Sequence, residues 1–273
     1  MMEMVMLSEW LLAYLALGAA VGFFAGLLGV GGGGIMVPVL TSMFLAQGLG
    51  AQSVHLALAT SMASIVLTSV SSIRSHHQHG AILWPVVWRL SPAIVAGTLG
   101  AAWIAGALPS LALAVFFCCF MGYIALQMLL NVKPKASRQL PGWGGLSLAG
   151  LSIGGVSALV AIGGGSLTVP FLTWCNVRVH NAIATSAAVG LPIALSGTVG
   201  YLWSGWNAQN TPQYSSGYVY WPAVICISLV SFFMAPVGVK LAHRLPVSTL
   251  KKIFAALLVL LSAKMLHSVL VAL

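Results

Sequence analysis

Twice in this chain an apolar stretch is interrupted by a run of glycine, and the same punctuation follows each time. The first passage is Val30-Gly31-Gly32-Gly33-Gly34-Ile35-Met36-Val37-Pro38, the second Ile162-Gly163-Gly164-Gly165-Ser166-Leu167-Thr168-Val169-Pro170. Consecutive glycines break a helix, because each keeps too much backbone freedom to be held in one conformation. The surroundings make this a severe constraint. Of 273 residues, 60% are hydrophobic and only 5% charged, and the mean hydropathy is +1.03. So few charges cannot cover a soluble domain of this size, and the chain reads as an all-α polytopic membrane protein. In a bilayer, broken backbone is tolerated only where protein buries it or where it lines a cavity. Two such breaks in corresponding halves point to a transporter's binding site.

A spanning helix takes about 20 apolar residues, so the chain has room for roughly eight. The first apolar run starts near Trp10, behind Glu3 and Glu9 and no basic segment, which is unlike a cleaved signal. The net charge of +9 does not imply a nucleic-acid partner. Its residues are scattered over short loops between apolar segments, as topology control requires. Cys118, Cys119, Cys175 and Cys226 have no framework spacing, and no disulfide is expected.

The two passages belong to a longer repeat. Pro38 matches Pro170 at an offset of 132, and His55-Leu56-Ala57-Leu58-Ala59-Thr60-Ser61 matches His180-Asn181-Ala182-Ile183-Ala184-Thr185-Ser186 at 125. Trp84-Pro85 with Trp221-Pro222, Leu108-Pro109 with Leu245-Pro246, and Met128-Leu129 with Met265-Leu266 all share an offset of 137. Order is preserved, and the offset changes only where loops absorb it, which defines internal structural repeats. The first repeat takes residues 1–131, a basic linker 132–142, and the second repeat 143–273. In the first, helices are predicted at 10–30 and 35–46 around the break, then at 53–73, 84–107 and 109–130. In the second they are predicted at 143–162 and 167–175, then at 180–203, 218–239 and 246–270.

If each break makes a re-entrant hairpin, each repeat has that hairpin plus three transmembrane helices. The odd number of crossings turns the second repeat upside down. With the linker cytoplasmic, Arg74, Arg89, Arg178, Lys240, Arg244, Lys251 and Lys252 fall on the same side as Lys133, Lys135 and Arg138. The N-terminus and the loops at 108 and 204–217, which lack Lys and Arg, fall outside. Only Lys264 departs from this positive-inside pattern for a multi-pass protein of the cytoplasmic (inner) membrane.

Helices starting at Ile35 and at Ser166 or Leu167 leave N–H groups unpaired, and these with the helix dipole attract anions. Gly32, Gly33, Gly34, Ile35, Gly163, Gly164, Gly165, Ser166 and Thr168 are therefore the candidate substrate contacts. Gly18, Gly22 and Gly26 form a small-residue face suited to helix packing. Thr60, Ser61, Thr185 and Ser186 offer hydroxyl donors, although such groups also bond back to their own helices. His55 and His180 start matching helices, where they would cap, pack or gate. His76-His77-Gln78-His79 resembles a metal tract but has no acid or cysteine near it, so neither a metal nor a cofactor is expected. Trp84, Trp143, Trp203, Trp206 and Trp221 read as interfacial anchors.

The chain has no Asp, and its two Glu residues precede the first helix. No intramembrane carboxylate is available to bind a cation or relay a proton. A small anion is the expected partner, beside the lipid bilayer. An anion leaving a cell that is negative inside moves downhill by about 2.3 kcal/mol per charge per 100 mV.

The pattern Gly31–Gly34 followed by Pro38, the His-x-Ala-x-Ala-Thr-Ser sequence and their recurrence resemble the TauE/SafE sulfite exporter family, also called TSUP. The resemblance runs from about Gly18 to Leu266. It implies a non-enzymatic transporter that exports sulfite, sulfoacetate or a related organosulfonate, with Gly31–Gly34, Thr60-Ser61, Gly163–Ser166 and Thr185-Ser186 as the central site. Ser166 departs from the family's fourth glycine. A channel-like anion pore on the same fold is the alternative. An intramembrane serine hydrolase using Ser166 is a weaker one, because it lacks both a Gly-x-Ser-x-Gly elbow and an acid.

Overall fold

The computed structural model describes residues 2–28, 32–130, 139–208, 211–242 and 247–272. Gly31, the linker basics Lys133, Lys135 and Arg138, and Arg244 lie outside the described residues, as do the side chains of Lys240 and Lys251 and the surroundings of Gly26. The first half contributes α1 (Met2–Leu28), α2 (Gly33–Ala46), α3 (Ser53–Gln78), α4 (Trp84–Ala107) and α5 (Ser110–Leu129). The second contributes α6 (Trp143–Val160), α7 (Gly165–Trp174), α8 (Val179–Ser204), α9 (Trp221–Ala242) and α10 (Val247–Ala272). A two-residue ladder, β1 (Ser215–Ser216) with β2 (Val219–Tyr220), precedes α9.

Six described segments are long and apolar enough to cross a membrane: α3, α4, α5, α6, α8 and Lys252–Ala272 of α10. Shorter apolar stretches lie in α1, α2 and α9. The chain is an all-α polytopic membrane protein, as its composition predicts. Both broken helices restart earlier than expected, at Gly33 and Gly165, which are the same position at the offset of 132. Packing holds these glycines helical against their intrinsic preference.

The halves are intertwined. The most extensive contacts are α1 on α9 and α4 on α6, which is one pairing seen twice when each helix is exchanged for its counterpart. The glycines show how closely the backbones approach. A Cβ on Gly18 would stand 2.8 Å from the Ile227 carbonyl, and one on Gly150 would stand 2.9 Å from the Leu90 carbonyl. Gly22 lies against Ser231, and Gly154 against Ile94. Gly18 and Gly150, and Gly22 and Gly154, are related by the offset of 132; Leu90 and Ile227, and Ile94 and Ser231, by 137. Such small-residue faces let helices pack by van der Waals contact where lipid removes the hydrophobic drive.

At the centre α3 runs against α8. Met62 meets Gly197 and Ser69 meets Gly190, so the two helices are antiparallel. The first break also folds back on itself. Tyr14 of α1 accepts a hydrogen bond from Gln47, just past α2, at 2.9 Å, while Val21 lies against Gly32 at the break. The described parts of the two limbs therefore lie side by side, Tyr14 with Gln47 at one end and Val21 with Gly32 at the other.

Candidate functional site

The two breaks meet. A Cβ on Gly33 would overlap the carbonyl of Ala161, and Ile162 lies next to it. The geometry follows from how α6 ends. Ala161 adopts the left-handed conformation (φ 47°), and its N–H and that of Ile162 both donate to the Ser157 carbonyl. This is a Schellman-type stop. It turns the Ala161 carbonyl away from its own helix and onto the bare Cα of Gly33.

Past the breaks the two helix starts are alike. The N–H groups of Ile35 and Met36 both donate to the Gly32 carbonyl, at 3.1 and 3.0 Å. Those of Leu167 and Thr168 both donate to the Gly164 carbonyl, at 3.3 and 2.8 Å. Gly164 has φ +62°, a conformation that glycine adopts without penalty. A Cβ there would stand 3.0 Å from Ile193 and 3.6 Å from both the Thr168 hydroxyl and the Ser186 carbonyl. The Gly163 carbonyl accepts from the Gly165 N–H at 2.6 Å and lies against Gly190 of α8. Gly34 faces Leu258 of α10 and Met121 of α5, and Ile35 is buried beside it.

The hydroxyls divide into two sets. Ser61 and Thr168 are fully buried, and their oxygens have no hydrogen-bond partner among the described residues. Among the described residues the buried Oγ of Ser166 has none either, from a histidine or any other group. Such groups normally find partners; Ser166 and Thr168 belong to the start of α7 at the second break, whereas Ser61 lies on α3 next to Thr60. Ser157 of α6, which the sequence did not single out, is a fourth. Ser186 is satisfied by the Ile183 carbonyl at 2.8 Å.

The threonines do something the motif did not disclose. Thr60 accepts the backbone N–H of Tyr220 at 3.1 Å, and Thr185 accepts that of Leu83 at 3.0 Å. Both donors directly precede the Trp-Pro that opens α9 or α4. The register of α3 against α8 sets Thr185 level with residue 74, fourteen residues from Thr60. The two threonines thus stand roughly 20 Å apart along the pair, rather than converging on one point.

The histidines differ although their motifs match. His55 is buried, with Nε2 at 3.0 and 3.1 Å from the Ala105 and Leu108 carbonyls and Nδ1 at 3.3 Å from the Ser110 hydroxyl. Carbonyls only accept, so Nε2 carries the proton. The ring stacks on Tyr218 at 5.0 Å. His180 is exposed. His77 of the histidine tract accepts the Trp84 indole N–H at 3.3 Å.

These features define a multi-pass α-helical membrane protein with two glycine-broken helices touching at its core. The chain belongs to the sulfite exporter TauE/SafE family, whose model matches residues 14–265. It is 36% identical over 259 residues to a "Probable membrane transporter protein" of Haemophilus influenzae, which spans 94% of this chain and 98% of that one. A "Probable membrane transporter protein" of Methanocaldococcus jannaschii is 25% identical over 249 residues, covering 88% and 90%. One from Bacillus subtilis is 22% identical over 237 residues, covering 84% and 89%. No solved structure matches the chain. Family and relatives make this protein a membrane transporter.

Proposed function

We propose that the protein exports a small sulfur-containing anion (sulfite, sulfoacetate or a related organosulfonate) across the cytoplasmic membrane by alternating access to a central site. One observation carries this reading. The start of one broken helix is packed on the end of the limb that precedes the other break, through Gly33 and Ala161, close to the unpartnered hydroxyls of Ser166 and Thr168, in a chain without Asp. Helix starts and hydroxyls are donors to an oxyanion, and the two carboxylates, Glu3 and Glu9, fall in the first turns of α1 rather than before it, far along the helix from the break. The family's description, sulfite exporter, narrows the anion class.

The proposed arrangement has inverted repeats, the N-terminus outside and the basic end cytoplasmic. The described cations support it. Arg74, Arg89 and Arg178 lie near the Leu83 end of the α3–α8 pair. Lys252 lies beyond Leu258, which contacts Gly34, while Lys264 shares a pocket of roughly 190 Å³ with Trp10, Ser42 and Met43 at the other end.

The decisive experiment is a binding screen of purified protein against sulfite, thiosulfate, sulfoacetate, taurine and carboxylate controls, followed by efflux from loaded vesicles. Saturable efflux with counterflow supports a carrier. Efflux of carboxylates alone, or linear flux without counterflow, removes the reading.

A further inference from the structure

Two three-residue segments occupy equivalent places at opposite ends of the α3–α8 pair. One is Tyr218-Val219-Tyr220 and the other Ala81-Ile82-Leu83, related by the offset of 137. Tyr218, Val219, Tyr220, Ala81 and Ile82 are buried, although each segment is a connection between helices, which ordinarily runs over the surface. Each ends in the N–H that a threonine holds: Tyr220 on Thr60 and Leu83 on Thr185. Both breaks lie between these two points. The Gly163 carbonyl rests on Gly190, which stands opposite Ser69, and Gly33 touches Ala161 two residues before Gly163.

We propose that these segments are the two gates of the transporter and that Thr60 and Thr185 are their latches. With both seated, the central site is shut from both sides. Releasing the Thr185–Leu83 bond opens it toward the basic end, and releasing the Thr60–Tyr220 bond opens it toward the other. Because α3 and α8 each carry one latch and also line the centre, a shift of one helix along the other loosens one latch while keeping its counterpart seated. The threonines act by positioning the gates; the anion's donors are the helix starts and the free hydroxyls between them.

The gates are not equally anchored. Tyr218 stacks on His55 at 5.0 Å, and Tyr220 packs on Tyr14 at 6.0 Å and Phe44 at 5.8 Å. The turn behind them sets Gly217, at φ +55°, directly on the Leu202 backbone. The opposite gate carries no aromatic ring. It is held instead at Ala81, whose N–H donates to the His76 carbonyl at 3.4 Å and whose carbonyl accepts from the Asn181 side-chain amide at 2.9 Å. Aromatic contacts add about 0.5–1.5 kcal/mol each beyond their buried area, so the Leu83 gate opens first. A carrier that loads at its basic end needs this inequality.

This proposal rests on the transport reading, but its test needs no transported anion. In a background with the four native cysteines replaced by alanine, Val219→Cys and Ile82→Cys report the two gates to a membrane-impermeant maleimide applied to purified protein in detergent. Thr60→Val should raise labelling at Val219→Cys by about fivefold, the opening expected when one hydrogen bond of ordinary net worth is lost, and leave Ile82→Cys unchanged. Thr185→Val should do the reverse. Thr60→Ser and Thr185→Ser keep the acceptor and should label like the parent, and the parent's Ile82→Cys should react faster than its Val219→Cys. Unchanged labelling in both valine variants, or a rise at both reporters in either one, overturns the latches. A faster Val219→Cys overturns the inequality. An outcome of the binding screen that excludes sulfur anions leaves this test standing.

Discussion

The Ala161 carbonyl lies against the Cα of Gly33, in the space a β-carbon would need. A backbone oxygen of one half is thereby the packing surface for the first turn of a helix in the other half, and neither side of the contact can yield without moving a whole helix. Gly33→Ala should therefore cost about 1–3 kcal/mol, as overpacked cores do, and abolish efflux. Gly100→Ala and Gly122→Ala, where the added methyl meets open space, should hold or raise stability, since alanine favours helix by up to about 1 kcal/mol. Thermal unfolding in detergent and efflux from vesicles measure both. A Gly33→Ala protein that melts and transports like the parent would show that the contact is dispensable.

The two left-handed residues at the second break give opposite expectations. Alanine at position 161 bears a left-handed cost of about 1–2 kcal/mol, whereas Gly164 does not. Ala161→Gly should therefore raise the melting temperature, offset in part by glycine's greater freedom when unfolded. Gly164→Ala should lower it, because the new methyl is both strained and crowded by Ile193. The same sign for both variants would contradict the geometry.

Matching histidines should respond differently. His55→Phe removes the ring's hydrogen bonds to the Ala105 and Leu108 carbonyls and the Ser110 hydroxyl, each with a net worth of about 0.5–1.5 kcal/mol. His180→Ala removes an exposed side chain and should stay within about 0.5 kcal/mol. Chemical-denaturant midpoints compare the two. If His55→Phe is neutral while His180→Ala abolishes efflux, the second histidine and not the first serves transport.

The proposed sidedness can be read with exposed single cysteines. Arg178→Cys and Tyr214→Cys replace exposed residues before α8 and before β1. Impermeant labelling of intact cells and of inverted vesicles should find them on opposite faces, with Arg178→Cys cytoplasmic. Finding both on one face would remove the inverted arrangement.

Much of this architecture is written in local chemistry. The glycine runs place the breaks, the prolines of Trp84-Pro85 and Trp221-Pro222 open α4 and α9, and the offsets of 132 and 137 recur in contacts such as Gly18 on Ile227 and Gly150 on Leu90. What sequence could not supply was the partner of each feature. Gly33 and Gly34 are helical because Ala161 and Leu258 stand over them, a tertiary override of weak propensity. Thr60 reads as a candidate substrate contact, and nothing nearby in the chain reveals that its hydroxyl accepts from the Tyr220 N–H, 160 positions away. His55 and His180 share a motif, yet contact with the end of α4 and with Tyr218 buries the first. Long-range hydrogen bonds leave no periodic trace.

The exchange of α1 onto α9 and of α6 onto α4 also bears on how the protein is made. Leu28, the end of α1, leaves the ribosome nearly two hundred residues ahead of Trp221. At synthesis rates of about 5–20 residues per second, that is a wait of roughly 10–40 s. Throughout it, Gly18 and Gly22 present a bare backbone groove with no final partner. The first half must therefore be shielded by lipid or by an insertion chaperone until the second arrives to complete it.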